Sequence, residues 1–155
     1  MTRFLGTHNV KLDKKGRISV PAPFRARLEA QGSAQIVLFR SYQLECIECW
    51  PEPAFELLAE SHDRLDIFSA GANDLGASLF AGAQYARPDA EGRLVLPPDL
   101  VAGLGLGEAV TILGANRSFQ IWDSARAAAH LAEARERARA GNLTLPAPRA
   151  PGAAP

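Results

Sequence analysis

The chain has 155 residues, 17 lysines and arginines against 17 aspartates and glutamates, 47 % apolar residues and two cysteines. That length is one domain or two very small ones; no apolar run approaches the roughly 20 residues that span a bilayer, and the opening MTRFLGTHNV lacks the hydrophobic stretch of a secretion signal. Two cysteines cannot build a disulfide framework, so membrane, collagenous and disulfide-scaffold classes are excluded and a reduced, cytoplasmic protein is expected.

In chain order, Val10 and Leu12 alternate with polar neighbours and predict a short strand. Asp13 to Gly16 carries turn chemistry, because Asp bonds its own backbone onward and Gly accepts positive φ. Ile18 to Val20 resumes as a strand, and Pro21 opens a short helix with Phe24 and Leu28 on one face. Two further strands are predicted around Ile36–Phe39 and Gln43–Trp50. Pro51 and Pro53 then lead into a helix from Ala54 to about Asp66, and residues 69–77 (SAGANDLGA) read as a loop or an interrupted helix.

From Leu79 the chain repeats itself. RFLGTHNVKLDKKGRISVP aligns with LFAGAQYARPDAEGRLVLP at an offset of 76, with identities at Phe4/Phe80, Gly6/Gly82, Asp13/Asp89, Gly16/Gly92, Arg17/Arg93 and Pro21/Pro97. Phe24/Leu100, Leu28/Leu104 and Ile36/Ile112 continue the pattern, and Trp50/Trp122 rejoins it after a four-residue length difference. Two halves near 1–60 and 77–130 are expected, as two packed β-rich units. Asp123 is a good N-cap for a last helix running to Gly141, whose apolar positions are nearly all Ala plus Leu131, a weak face that wants a partner surface. The final LPAPRAPGAAP has the composition of a disordered tail.

Charge is unevenly spread. Residues 1–40 carry eight basic side chains against Asp13 and Glu29; residues 41–86 carry Arg64 against eight acids; residues 87–155 carry eight bases and seven acids. A basic lobe beside an acidic one points to a polyanionic partner, or to lobes that face each other within or between subunits.

Catalysis needs a constellation, and none is visible. His8, His62 and His130 have no counterparts in the other copy. Ser61-His62-Asp63 holds triad letters, but a triad is assembled in space and not by adjacency. Asp13 and Asp89 each have an arginine four residues on, which marks them as ionised structural acids. Cys46 and Cys49 form a CxxC with no second ligand pair, and i and i+3 on a strand face opposite ways, so they read as ordinary reduced cysteines. No catalytic residue, metal, cofactor or small-molecule substrate is expected.

The duplicated loop remains: Asp13-Lys14-Lys15-Gly16-Arg17 and Asp89-Ala90-Glu91-Gly92-Arg93. Turn closure explains Asp and Gly in both copies. It does not explain three cations within four residues of the first, which suit phosphate contacts and a guanine edge. Ala90 and Glu91 replace the lysines in the second, so Arg93 is expected to serve mainly structure. The competing reading is a β-rich protein–protein module, an antitoxin-like partner binder that docks through the Ala-rich helix.

FLGTHNVKLDKKGRISVPAPFRARL, DAEGRLVLPPDL and FQIWD resemble the MraZ family of bacterial transcriptional regulators, over about residues 3–140. The resemblance implies an α+β fold of two tandem β-rich SpoVT/AbrB-like repeats with short helices, related by a pseudo-two-fold, plus a C-terminal helix. The corresponding boundaries are domain 1 at 7–54, a helical or loop linker at 55–82, domain 2 at 83–126, a C-terminal helix at 127–141 and a disordered tail at 142–155. It further implies a nucleoid-associated, ring-shaped homo-oligomer that binds double-stranded DNA at direct repeats upstream of the division and cell-wall gene cluster and its own gene. The family ties the arginine of D-x-x-G-R to DNA binding, which falls here on Arg17 and by position on Arg93. Lys14, Lys15, Lys11 and Arg3 complete the expected DNA-binding set, with Asp13, Gly16, Asp89 and Gly92 as structural turn residues. The chain departs from the family in an N-terminus two residues longer than the usual Met-Phe-x-Gly start, and in the Gly/Ala-rich residues 64–80, where a charged helix is usual.

Overall fold

The computed structural model describes residues 3–152. The chain forms β1 (Thr7–Lys11), β2 (Arg17–Ser19), α1 (Ala22–Glu29), β3 (Ile36–Arg40), β4 (Ile47–Pro51), α2 (Glu52–Asp63), α3 (Ala70–Leu79), β5 (Gln84–Ala86), β6 (Arg93–Val95), α4 (Pro98–Gly103), β7 (Ala109–Gly114), β8 (Phe119–Asp123) and α5 (Ser124–Ala140).

Three local expectations are corrected. The strand expected over Gln43–Trp50 is confined to Ile47–Pro51, because the Ser41 hydroxyl accepts from the Gln43 and Leu44 N–H groups and the Ser41 N–H donates to the Cys46 carbonyl, folding 41–46 into a turn. The helix expected over 54–66 starts earlier, at Glu52, and stops at Asp63. Residues 70–79 form one continuous helix, not a loop or an interrupted helix. The Ser69 hydroxyl caps it by accepting from the Ala72 N–H at 3.1 Å, and His62 Nε2 bonds the Ala72 carbonyl at 2.9 Å, fixing α3 against α2. The last helix runs as its Asp123 cap and Gly141 stop predict. Residues 143–150 carry no regular secondary structure, and residues 153–155 of the expected tail lie outside the described residues. No helix among the described residues is long and apolar enough to cross a membrane.

The two copies are interleaved rather than closed on themselves. A six-stranded antiparallel sheet runs β1-β7-β8-β4-β3-β5, beside a two-stranded ribbon of β2 and β6. Only the β3–β4 and β7–β8 pairs lie within a copy, while β1–β7, β3–β5, β4–β8 and β2–β6 join one copy to the other. Exchanging β1 with β5, β3 with β7 and β4 with β8 reproduces the same order read from the far edge, which is the pseudo-two-fold. Its axis passes between Glu48 and Gln120 in the sheet and between Ile18 and Leu94 in the ribbon, each pair lying directly opposite in register.

Alternation along the strands separates two apolar layers. Ile36, Leu38, Ile47, Ile112 and Phe119 face a core roofed by the ribbon, α1 and α4, in which Phe4, Phe24 and Phe119 meet pairwise at 5.2 Å between ring centroids. On the other face α2 and α3 cover Val37 and Phe39, and α5 covers Leu113 and Trp122. There Ala127 is buried, Leu131 packs alongside, and His130 stacks on Trp122 at 4.4 Å, so the thin apolar face of α5 is spent on the chain's own sheet. Cys49 lies in the first layer and Cys46 in the second; both are fully buried free thiols, pushed well above the usual thiol range by that burial.

At the axis, Trp50 Nε1 donates to Glu48 at 3.3 Å, Trp122 Nε1 donates to Gln120 at 3.0 Å, and Gln120 Nε2 donates to Glu48 at 3.3 Å. Burial holds the Glu48 carboxyl above the usual carboxylate range against these donors. The ionised form therefore costs stability, none of it below the unfolded-state pKa and all of it once pH has risen through the folded one. Glu48→Gln restores the chemistry of its symmetry mate and should raise the thermal midpoint at neutral pH. Melts recorded as a function of pH should show that advantage vanishing in acid.

Candidate nucleic-acid interface

The ribbon pairs Arg17 with Val95, Ile18 with Leu94 and Ser19 with Arg93. Period-two alternation sends Ile18 and Leu94 into the core, each 1 % exposed, and leaves Arg17, Ser19, Arg93 and Val95 on the outer face. The duplicated motif thus contributes one strand from each copy to a single surface.

The two flanking loops have the same backbone. In the first, the Asp13 N–H donates to the Arg17 carbonyl at 2.9 Å and the Gly16 N–H to the Asp13 carbonyl at 3.0 Å; in the second, Asp89 and Arg93 do the same at 2.8 Å, with Gly92 to Asp89 at 2.9 Å. Asp13 Oδ1 accepts the Lys15 and Arg17 N–H groups, and Asp89 Oδ1 those of Glu91 and Arg93, all at 2.9–3.0 Å. Gly16 and Gly92 hold φ of +77° and +79°, where a Cβ would be strained. Each loop is then tied to the opposite copy: the Leu96 N–H donates to the Gly16 carbonyl and the Val20 N–H to that of Gly92. Asp13 and Gly16 close the first turn, and Asp89 and Gly92 the second.

Those backbone donors, Arg17 N–H first for Asp13 and Arg93 N–H first for Asp89, hold both carboxyls below the usual carboxylate range. A depressed folded pKa contributes order that is complete above the unfolded-state value and lost as pH falls through the folded one. Both loops should stay closed through mildly acidic pH. NMR titration of the Asp13 and Asp89 carboxyls should place their midpoints below those of the exposed glutamates.

The arginines differ in a way the shared motif conceals. Arg17 Nε donates to Asp13 Oδ2 at 2.8 Å, closing its own loop. Among the described residues the Arg93 side chain makes no hydrogen bond or ion pair, and it lies on the open face. The expectation that Arg93 is the structural member is reversed by this geometry. Lys14 and Lys15 are exposed at the first loop, and Lys11 pairs with Glu108 at 2.9 Å. A groove lined by Lys11, Asp13, Arg17, Ser19 and Arg93 joins both arginines to Lys11. Arg3 stands apart: at the far end of β1 from Lys11, its Nη1 donates to Asn116 Oδ1 at 2.9 Å.

Arg25 was not singled out by sequence. Its stem packs so closely over Gly92 that a Cβ there would lie 2.5 Å from Arg25 Cδ, and its Nε donates to the Val20 carbonyl at 3.2 Å. The available signal was positional, since the second copy has Val101 at the matching place. A two-stranded ribbon with outward guanidinium groups and lysines at one end offers planar forks for paired acceptors and point charges for anions.

The family described as "MraZ protein, putative antitoxin-like" matches residues 3–76 and 79–144, one stretch per copy. A protein of Gluconacetobacter diazotrophicus named transcriptional regulator MraZ is 47 % identical over 150 residues, covering 95 % of this chain and 94 % of its own. One of the same name from Gluconobacter oxydans is 43 % identical, covering 100 % and 94 %, and one from Paenarthrobacter aurescens is 40 % identical, covering 78 % and 81 %.

Proposed function

The chain belongs to the MraZ family and is a transcription regulator, and from that premise we propose that it binds double-stranded DNA through the outer face of the β2–β6 ribbon. The observation that carries this reading is one surface built from both copies, with Arg17 and Arg93 outward and Lys14 and Lys15 beside it. The targets we propose are direct repeats in the promoter upstream of the division and cell-wall gene cluster and of the protein's own gene. The SpoVT/AbrB-like domains, 7–54 and 83–126, each supply one strand of the reader, with 55–82 as linker, 127–141 as closing helix and 142–155 as tail.

Within that surface Lys14, Lys15, Arg17 and Arg93 contact DNA, with Lys11 at the groove margin. Arg3, bonded to Asn116, makes at most a peripheral contact. The acidic helix α2, together with α3, covers the sheet face opposite the ribbon, away from the polyanion. At their joining turn Ile67 is 68 % and Phe68 88 % exposed, apolar surface that a neighbouring copy covers in the homo-oligomeric ring we propose. Cytoplasmic, nucleoid-associated placement goes with this role. The protein–protein module finds less support, because the docking face it requires on α5 already packs against Trp122 and Leu113.

The test is a salt titration of retardation on the duplex upstream of the gene, with light scattering of the free protein. One loop making two or three phosphate contacts contributes about −0.9 per contact to the slope of log K against log salt, and several loops acting together give a steeper line. Salt-independent binding to a protein, with no DNA retained, would favour the module.

A further inference from the structure

The ribbon's backbone is two-fold, but the chemistry of its ends is not. At one end Arg17 faces Val95 across the strands, next to Lys14 and Lys15. At the other, Arg93 faces Ser19, next to Ala90 and Glu91. The symmetry operation therefore exchanges Val95 with Ser19 and Lys15 with Glu91, while the turn hydrogen bonds and glycine φ values stay the same.

Resting on the DNA reading above, we propose that Val95 and Glu91 are specificity-determining residues: they make the two ends unequal, so each subunit reads its element in one orientation only. A duplex is locally two-fold, and a reader with equal ends binds it equally well either way round. Unequal ends remove that degeneracy. Val95 is 59 % exposed and apolar on an otherwise polar surface, which matches a thymine methyl in the major groove. Ser19 at the equivalent place both donates and accepts and discriminates little. Glu91 stands where the first loop has a lysine, so its end repels the phosphates that the other end holds. Val95 thus specifies a thymine beside the phosphate-anchored end, and Glu91 prevents the subunit from turning round.

The experiment enriches duplexes from a pool with a randomised core, using the full chain and the variant Val95→Ser/Ala90→Lys/Glu91→Lys, whose ribbon pairs and flanking turns carry the same residues at both ends. The wild type should enrich a motif whose repeating unit lacks dyad symmetry. The variant should enrich a unit that reads alike on both strands, with preference for the thymine reduced about fivefold or more. A dyad-symmetric unit from the wild type overturns the proposal, as does an unchanged asymmetric unit from the variant. A variant that melts normally yet enriches nothing also overturns it, by giving these residues a role other than polarity. Should that variant unfold, exposed Glu91→Lys alone is expected to lessen the asymmetry, and an unchanged motif overturns the proposal. Failure of the wild type to enrich any duplex removes the DNA reading itself, a result distinct from all of these.

Discussion

Replacing Lys15 and Arg17 together with alanine is expected to abolish retardation of repeat-containing DNA while leaving the size of the assembly unchanged. Lys15 is exposed at the first loop and supplies a point charge for phosphate. Arg17 spends its Nε on Asp13, which aims the guanidinium without consuming the rest of the fork. In the ring proposed above every subunit loses both contacts at once, so the loss is multiplied and should reach on the order of 10²-fold or more. The fold should not notice. Asp13 keeps its two backbone donors, Lys15 N–H and Arg17 N–H, so the turn stays closed, and the part-buried surface pair with Arg17 adds little to that closure. Arg93→Ala should likewise leave the melt nearly unchanged, because that side chain makes no hydrogen bond or ion pair and only adds its charge to the backbone donors that hold Asp89. Retardation gels beside light scattering and thermal melts separate the effects, and surviving affinity in the double variant would sink the assignment of the loop.

A larger effect on stability is expected at Gly114. A Cβ there would stand 2.5 Å from the Phe4 carbonyl oxygen and 2.7 Å from the Leu5 nitrogen. These are backbone atoms held by the Phe4 N–H to Asn116 carbonyl bond at 2.7 Å and by the Gly114 N–H to Gly6 carbonyl bond at 2.8 Å, so rotating a side chain does not relieve the clash. Gly114→Ala should push residues 3–6 off the sheet and draw Phe4, which is 0 % exposed, out of its cluster with Phe24 and Phe119. Removing a buried Phe costs about 3–5 kcal/mol, which for a chain of this length is roughly 10 °C of melting temperature. Phe4→Ala should cost about the same, and the double variant little more than either alone, since both act through one anchor. Additive losses would show that Gly114 acts elsewhere.

Nothing in the sequence near Gly114 announces that role. Its φ is not positive, it ends a regular strand, and the atoms it must admit are 110 residues away in the chain. Arg25 was missed for the same reason: its partner, Gly92, belongs to the other copy. The reversal of Arg17 and Arg93 is of this kind too, because one motif written twice cannot say which arginine turns back to its own aspartate. By contrast, residues 69–77 carry a local signal that points the wrong way: their glycines favour an interruption, but the Ser69 cap and the His62 contact outweigh them.

Legible along the chain were the offset of 76 between copies, the Asp and Gly of each turn, the caps of the last helix, and the three cations crowded into the first loop. The turns and caps among them rest on hydrogen bonds and steric limits spanning four residues or fewer. Only the tertiary structure decided how the copies interleave, placed Ile18 against Leu94, and so set Arg17 and Arg93 on one outward face. Strand pairing obeys burial summed over the whole sheet, and each copy alone holds half of that surface.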